Sequence, residues 1–370
     1  MQCRHEMLES TLVGLEKTGV PLVASVSTDG PLSMAGATDD IGIYYFIPSL
    51  AHLFGIPIDA AIHLFFKSLL VFATLISMTC FWFQFPKWAS RCVSVTSLSL
   101  LGYVAYRAND VYLAFYVAVA AVVPFILGKV TLPRLAFAGL IAGYCNFIRM
   151  HSGTGVLLFV VCWILWNASI AKRAKLWSLL TVALFVSLPY LHFYKLEKAR
   201  DACLNRSLTY ALHPKWHNIY IGLGFLENPY GIRYDDSVSS NKVMSIDPNI
   251  EYCSPEYEAI LRDQCVAILK DNPLFICKTV LLKALILLGK ALLVFNVGLI
   301  CLFYVRPSWR RVLPFLLSAA FYFLPGLLTM PKTAYVLGGI SMMTLFGIYL
   351  ICLAIEKKSS NAFAAPAYPK

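Results

Sequence analysis

The chain has 370 residues, of which 59% are hydrophobic and 14% charged, and it carries a formal net charge of +11. Soluble globular domains carry roughly 25% charged and about 45–50% apolar residues, so a chain with a mean hydropathy of +0.68 is solvated by lipid. Soluble Rossmann-type enzymes, coiled coils, collagenous fibres and disordered chains are excluded, and the basic excess has a topological origin before it points to nucleic acid.

Residues 1–58 contain no run long and apolar enough to span, and their basic start is not followed by the compact apolar core of a signal peptide. Within them, Thr38 or Asp39 can cap a helix start, beyond which Ile43, Phe46, Ile47, Leu50 and Leu53 recur at steps of three and four. This predicts an amphipathic helix in the membrane interface, with Tyr44 and Tyr45 at headgroup depth. It would hold Asp39 and Asp40 at the outer surface. In the plainer alternative the two acids are a helix cap and its solvated neighbour.

A bilayer-crossing helix needs about 20 mostly apolar residues. Nine segments qualify: 60–84, 92–106, 111–128, 133–148, 154–171, 176–194, 287–305, 312–329 and 334–354. The expected fold class is therefore all-α, a polytopic membrane bundle of about nine transmembrane helices with an external loop subdomain. Its divisions are an external N-terminal segment with the interfacial helix (1–58), six spans (59–194), the loop subdomain (195–286), three spans (287–356) and a tail (357–370). Alternate short connections hold Lys87, Arg91, Lys129, Arg134, Lys172, Arg173, Lys175, Arg306, Arg310 and Arg311, ten basic residues against Arg107, Arg149 and Lys332 on the other side. By the positive-inside rule the first set is cytoplasmic, the tail joins it, and the N-terminus and the 195–286 loop are external. Of the twenty acids only Glu356 is then internal. No inverted repeat of the transporter kind is visible.

Ionisable groups at membrane depth are costly unless paired or hydrated, which makes them functional candidates. Two outer connections carry them: Arg107 and Asp110 in Tyr-Arg-Ala-Asn-Asp, and Arg149 and His151 in Asn-Phe-Ile-Arg-Met-His-Ser-Gly. Arg107 can equally snorkel or pair with Asp110. Arg149 with His151 suits a phosphate, and Lys332 is a third outer cation.

The long loop contains the densest polar stretch, residues 213–236. Pro214 suits a first helical position, with His213 at the cap and His217 a turn later. Trp216, Tyr220, Phe225, Tyr230 and Tyr234 offer flat faces for a sugar or base, and Gly222, Gly224 and Gly231 permit close backbone approach. His213, His217 and Asp235 could bind a divalent metal, but a packed polar loop without metal explains them as well, so no metal site is assigned. Asp236 completes the polar set. Residues 251–271 predict a soluble amphipathic helix beginning near Ser254-Pro255-Glu256. The stretch 274–305, interrupted by Lys278, Lys283 and Lys290, is expected to divide into an interface segment over 274–286 and a span. The eleven cysteines show no zinc-type spacing; Cys203, Cys253 and Cys265 share the loop, where a disulfide is one alternative.

The acid pair, the interface helix behind it and the basic outer rim together resemble the GT-C membrane glycosyltransferases. The Asp39-Asp40-Ile-Gly-Ile-Tyr-Tyr run looks like their acidic first-loop motif, and His-Pro-Lys-Trp-His-Asn-Ile-Tyr-Ile-Gly-Leu-Gly resembles a bacterial branch of such proteins. The family places a span before its acidic loop, and residues 1–58 contain none. The resemblance implies transfer of a hexose or pentose from a polyprenyl-phosphate donor to a glycan, lipid or protein acceptor, outside the bacterial cytoplasmic membrane. It implies Asp39 or Asp40 as the base, Arg149, His151 and Lys332 at the donor phosphate, and Arg107, Asp110, His213, Trp216, His217, Tyr220, Asp235 and Asp236 around the substrate. No cofactor is certain, and a divalent metal stays open. The alternatives are a transporter of lipid-linked oligosaccharide or another solute, and a surface-polysaccharide polymerase or ligase.

Overall fold

The computed structural model describes residues 2–35, 40–107, 110–168, 170–205, 215–252 and 254–363. The chain begins with α1 (Gln2–Thr18), a hairpin of β1 (Val23–Ser25) and β2 (Leu32–Met34), and α2 (Ile41–Phe54). Six helices follow: α3 (Ile58–Gln84), α4 (Trp88–Tyr106), α5 (Leu113–Gly128), α6 (Leu132–Ile148), α7 (Thr154–Trp166) and α8 (Lys172–Leu204). Then come α9 (Lys215–Gly222), α10 (Asp236–Met244) and α11 (Pro255–Asp271), and finally α12 (Pro273–Val305), α13 (Trp309–Leu328) and α14 (Leu337–Phe363). Among the described residues five helices are long and apolar enough to cross a bilayer, α3, α8, α12, α13 and the stretch 334–358, with shorter apolar helices beside them. These suggest a multi-pass membrane protein.

Two compact units emerge. The first comprises Met1–Arg206, Leu292–Tyr322 and Leu337–Lys370; the second comprises Ser207–Ala291 and Phe323–Val336. At the centre of the first is α5, packed against α3, α6, α7 and α14. It is apolar on every face, as a helix must be when nothing but protein surrounds it, and Leu113 through Pro124 are all buried. Pro124 has no N–H, so the helix cannot satisfy the Ala120 carbonyl one turn earlier. The Ser77 hydroxyl of α3 donates to that carbonyl at 2.5 Å. On α3 and α8, by contrast, Leu64, Val71, Leu75, Phe83, Leu176, Leu180, Leu184 and Leu191 are exposed. Apolar surface spread this widely along long helices matches a hydrocarbon solvent.

Residues 2–35 form a helix and a hairpin that the periodicity did not announce. Leu8, Thr11 and Gly14 are the buried face of α1, and a Cβ at Gly14 would sit 2.3 Å from the Val23 carbonyl oxygen, so β1 lies directly on the helix there. Gly19 ends the helix with φ +68°, its N–H donating to Leu15 O at 2.8 Å. In α2, Ile41, Ile43, Tyr44, Ile47 and Ala51 are buried, against α1, α3 and α6. Asp40 occupies the N-cap position without a side-chain cap bond; the alternative caps Thr38 and Asp39 lie outside the described residues.

The second unit has its own core of Tyr220, Ile221, Leu223, Ile232, Val243, Tyr257, Leu261, Cys265 and Ile268. Helix α11 starts where the Ser-Pro-Glu signal placed it. Ser254 accepts from the Tyr257 N–H at 3.1 Å, Pro255 fills the first turn, and Glu256 and Glu258 favour the helix dipole. Gly222 and Gly224 do make close approaches: a Cβ would meet Leu328 O at 2.3 Å and Arg233 C at 2.4 Å respectively. Gly231 instead supplies a positive φ of 67°.

The expected break between an interface segment and a span within 274–305 does not occur. Helix α12 is continuous over 33 residues. Lys283, which argued for interruption, is buried and donates to the Gly222 and Thr329 carbonyls at 2.8 and 2.6 Å. A cation satisfied in this way no longer has to reach water, so it does not end an apolar helix. Cys203 and Cys265 are free thiols, Cys253 lies outside the described residues, and burial pushes the Cys265 thiol up to about 12.

Candidate functional site

The acids singled out from sequence are organised by a residue that was not. Arg4, in the first turns of α1, directs Nη1 to Asp110 Oδ1 and Oδ2 at 2.9 and 3.0 Å and Nη2 to Asp40 Oδ2 at 3.0 Å. The side chain of Asp40 is 1% exposed, that of Asp110 21% and that of Arg4 33%. Burial is the largest influence on the guanidinium and favours its neutral form. Asp40 and Asp110, helped by Tyr44 and Tyr112, together outweigh it and raise its pKa. The planar fork of a charged guanidinium lets one side chain serve two carboxylates at once. Asp110 also accepts from the Val111 N–H at 2.7 Å, which fixes it at the entry to α5.

A cavity of about 570 Å³ adjoins this cluster, with Arg4, His5, Glu6, Asp59, His63 and Asp110 as its polar wall and Ile43, Ile47 and Phe66 among its apolar residues. His5 Nε2 is 2.8 Å from Asp59 Oδ1, and its Nδ1 is 3.7 Å from Glu9. His5, Asp59 and His63 are not among the residues expected from the sequence. Asp59 and His63, one turn apart at the start of the first apolar span, were a usable signal, as were His5 and Glu9 one turn apart on α1; Arg4 left none, because its partners lie far along the chain.

The other outer-rim residues of this unit also have defined places. Arg149 caps the C-terminal end of α6, stacks over Tyr112 at 4.9 Å and reaches the Tyr112 hydroxyl at 3.5 Å. Tyr112 also acts electrostatically on Arg4, so Asp40, Asp110 and Arg149 belong to one neighbourhood. Gly42 tightens it, since a Cβ there would lie 2.7 Å from the Phe147 backbone. His151 takes a positive φ of 67° and sets its ring edge-on to Phe321 at 6.3 Å. The turn around it is held by hydrogen bonds: Asn146 Oδ1 accepts from Gly153 and Thr154 N–H groups at 2.8 and 3.1 Å, and Tyr322 donates to Ser152 O at 2.6 Å. Arg107 is exposed at the end of α4. The pairing of Asp110 goes to Arg4. Asp39 and His213 lie outside the described residues.

In the second unit, His217 is 3% exposed and is a hub of the fold. Its Nε2 lies 3.1 Å from Asp236, and its Nδ1 lies 2.9 Å from both the Tyr257 and Ser239 hydroxyls. With Nε2 donating to Asp236, Nδ1 is left to accept from the Tyr257 hydroxyl, while the Ser239 hydroxyl donates to the Asp236 carbonyl at 2.8 Å. Glu258 receives the Trp216 and His217 backbone N–H groups at 2.8 and 3.1 Å. Its charge thereby satisfies the N-terminus of α9. Trp216 is partly buried and Tyr220 buried in the core. Asp235 caps α10 through the Ser237 N–H at 2.9 Å. Hydrogen bonding holds both acids below the usual carboxylate range, Asp235 chiefly through Ser237 and Asp236 chiefly through His217. Lys332 stacks over Tyr234 at 4.6 Å, and Tyr234 meets the Tyr335 hydroxyl. Among the described residues no group of three or more His, Cys, Asp or Glu side chains is arranged to hold a metal ion. No protein-family model, curated protein or solved structure matches the chain.

Proposed function

We propose that the chain is a membrane glycosyltransferase of the GT-C kind, moving a sugar from a polyprenyl-phosphate donor to a glycan, lipid or protein acceptor. In this reading about nine helices cross the bacterial cytoplasmic membrane, with the N-terminal region and the 195–286 loop outside and the C-terminus inside. Helices α5, α6 and α7, with 16, 17 and 13 residues, are short for a hydrocarbon core of about 30 Å. They are buried in large part, which relieves them of spanning lipid alone.

The observation that supports the reading is the cluster of Asp40 and Asp110 on Arg4 beside the 570 Å³ cavity. A carboxylate of this acidic segment, Asp40 or Asp39, takes the proton of an acceptor hydroxyl. The acceptor oxygen bonds to the anomeric carbon, and the sugar–phosphate bond breaks with its electron pair leaving on the polyprenyl phosphate. Arg149 and His151 neutralise that phosphate, since preorganised charge is usually the largest catalytic term. Arg107 and Asp110 are proposed as substrate-side groups of this site.

The test compares surface glycans and lipid-linked sugars by mass spectrometry in cells with and without the gene. Loss of one sugar with retention of its lipid-linked donor supports transfer. Accumulation of a fully built lipid-linked glycan overturns it in favour of export.

A further inference from the structure

A second cavity lies at the other end of α5 from Asp110, with a volume of about 560 Å³. Three connections meet there: α5 to α6, α7 to α8 and α12 to α13. Its wall includes Lys129, Trp166, Asn167, Trp309, Arg310 and Arg311, and no carboxylate is among the described residues that line it. The Trp166 and Trp309 rings stand 6.1 Å apart, and Arg310 lies 5.8 Å from the Trp309 ring centre. Tyr349 of α14 lines the cavity beside Arg311.

Three cations around one concavity repel one another unless an anion is shared between them. The donors present are guanidinium, ammonium, a side-chain amide and indole N–H, all of which offer hydrogens to oxygen and none of which supplies negative charge. A phosphate oxygen set matches the paired N–H groups of arginine. Tryptophans mark headgroup depth in membrane proteins, and basic pockets between membrane helices are where phosphate headgroups lodge.

We propose that this cavity is a binding site for a phosphate group, carried by an anionic lipid headgroup or by a soluble phosphate ester. The inference does not depend on the glycosyltransferase reading. The exposed Lys172 and Arg173, at the start of α8, are outside the cavity wall and provide the control.

The full chain is purified into phosphatidylcholine nanodiscs, and binding of phosphatidylglycerol and of glycerol 3-phosphate is measured by native mass spectrometry and tryptophan fluorescence. The expected result is that Arg310→Gln with Arg311→Gln weakens binding roughly tenfold or more, that Lys129→Gln weakens it less, and that Lys172→Gln with Arg173→Gln leaves it unchanged. Binding of phosphatidylglycerol alone identifies a lipid ligand; competition by glycerol 3-phosphate identifies a soluble one. Unfolding midpoints equal to wild type show that the variants are folded, and the single Lys129 variant carries the test if the double variant is not. Equal losses in cavity and control variants, or binding of neither probe, would overturn the proposal.

Discussion

The Arg4 guanidinium lies 3.0 Å from Asp40, and Asp40 is almost wholly buried. One side chain of α1 thereby satisfies the start of α2 and, through Asp110, the start of α5. Removing one partner of a buried pair leaves a charge that protein cannot solvate, so Arg4→Ala should cost about 3 kcal/mol. Arg4→Lys should recover only part, because an ammonium lacks the fork that serves two carboxylates. Denaturation in detergent measures this. Equal stability of Arg4→Ala and wild type would show that the bridge contributes nothing.

Replacing Asp39 or Asp40 with Asn keeps size and hydrogen bonding while removing basicity. If the proposed transfer chemistry holds, one of these variants should lose at least about a hundredfold in rate, read as sugar transferred per folded protein. Full activity in both single variants and in the double variant would return the acids to a structural role at the head of α2.

Ser77 and Pro124 should be energetically coupled. Ser77→Ala leaves the Ala120 carbonyl without its donor and should cost about 1 kcal/mol. In a Pro124→Ala background the restored N–H can serve Ala120 instead, so the same serine change should cost much less. A double-mutant cycle on thermal stability decides it, and additive effects would refute the compensation.

Asp236 is held below the usual carboxylate range chiefly by its hydrogen bond from His217. A lowered folded-state pKa contributes stability that is present above the unfolded value, about 3.9, and is lost as pH falls through the folded one. The stability difference between wild type and Asp236→Asn should therefore be constant near neutral pH and fade below about pH 4. A difference that persisted unchanged to about pH 2 would mean that the aspartate charge does not matter.

A Cβ at Gly153 would fall 1.8 Å from the Ala142 carbonyl oxygen. Backbone cannot yield as a flexible side chain does, so Gly153→Ala should cost about 3 kcal/mol or more and displace the 149–153 turn. Crystallography or hydrogen exchange at that turn reads the displacement; an unshifted turn at full stability would contradict it.

Composition and hydropathy by themselves determined that the described chain is mostly helical with several long apolar helices, because lipid leaves the backbone few other solutions. Local signals of short reach were equally readable: the Ser254-Pro255 start of α11, and the two glycines at 222 and 224 that admit neighbouring backbone. Asp40, paired with Asp39, and Asp110, beside Arg107, stood out as ionisable groups next to apolar runs. Tertiary structure alone decided that they share Arg4, that His5 meets Asp59, and that Lys283 is content inside an unbroken α12. Each of those facts is a pairing between residues distant in sequence. A charge records its own cost locally, but which partner offsets that cost is settled by packing, and packing leaves no period in the sequence to read.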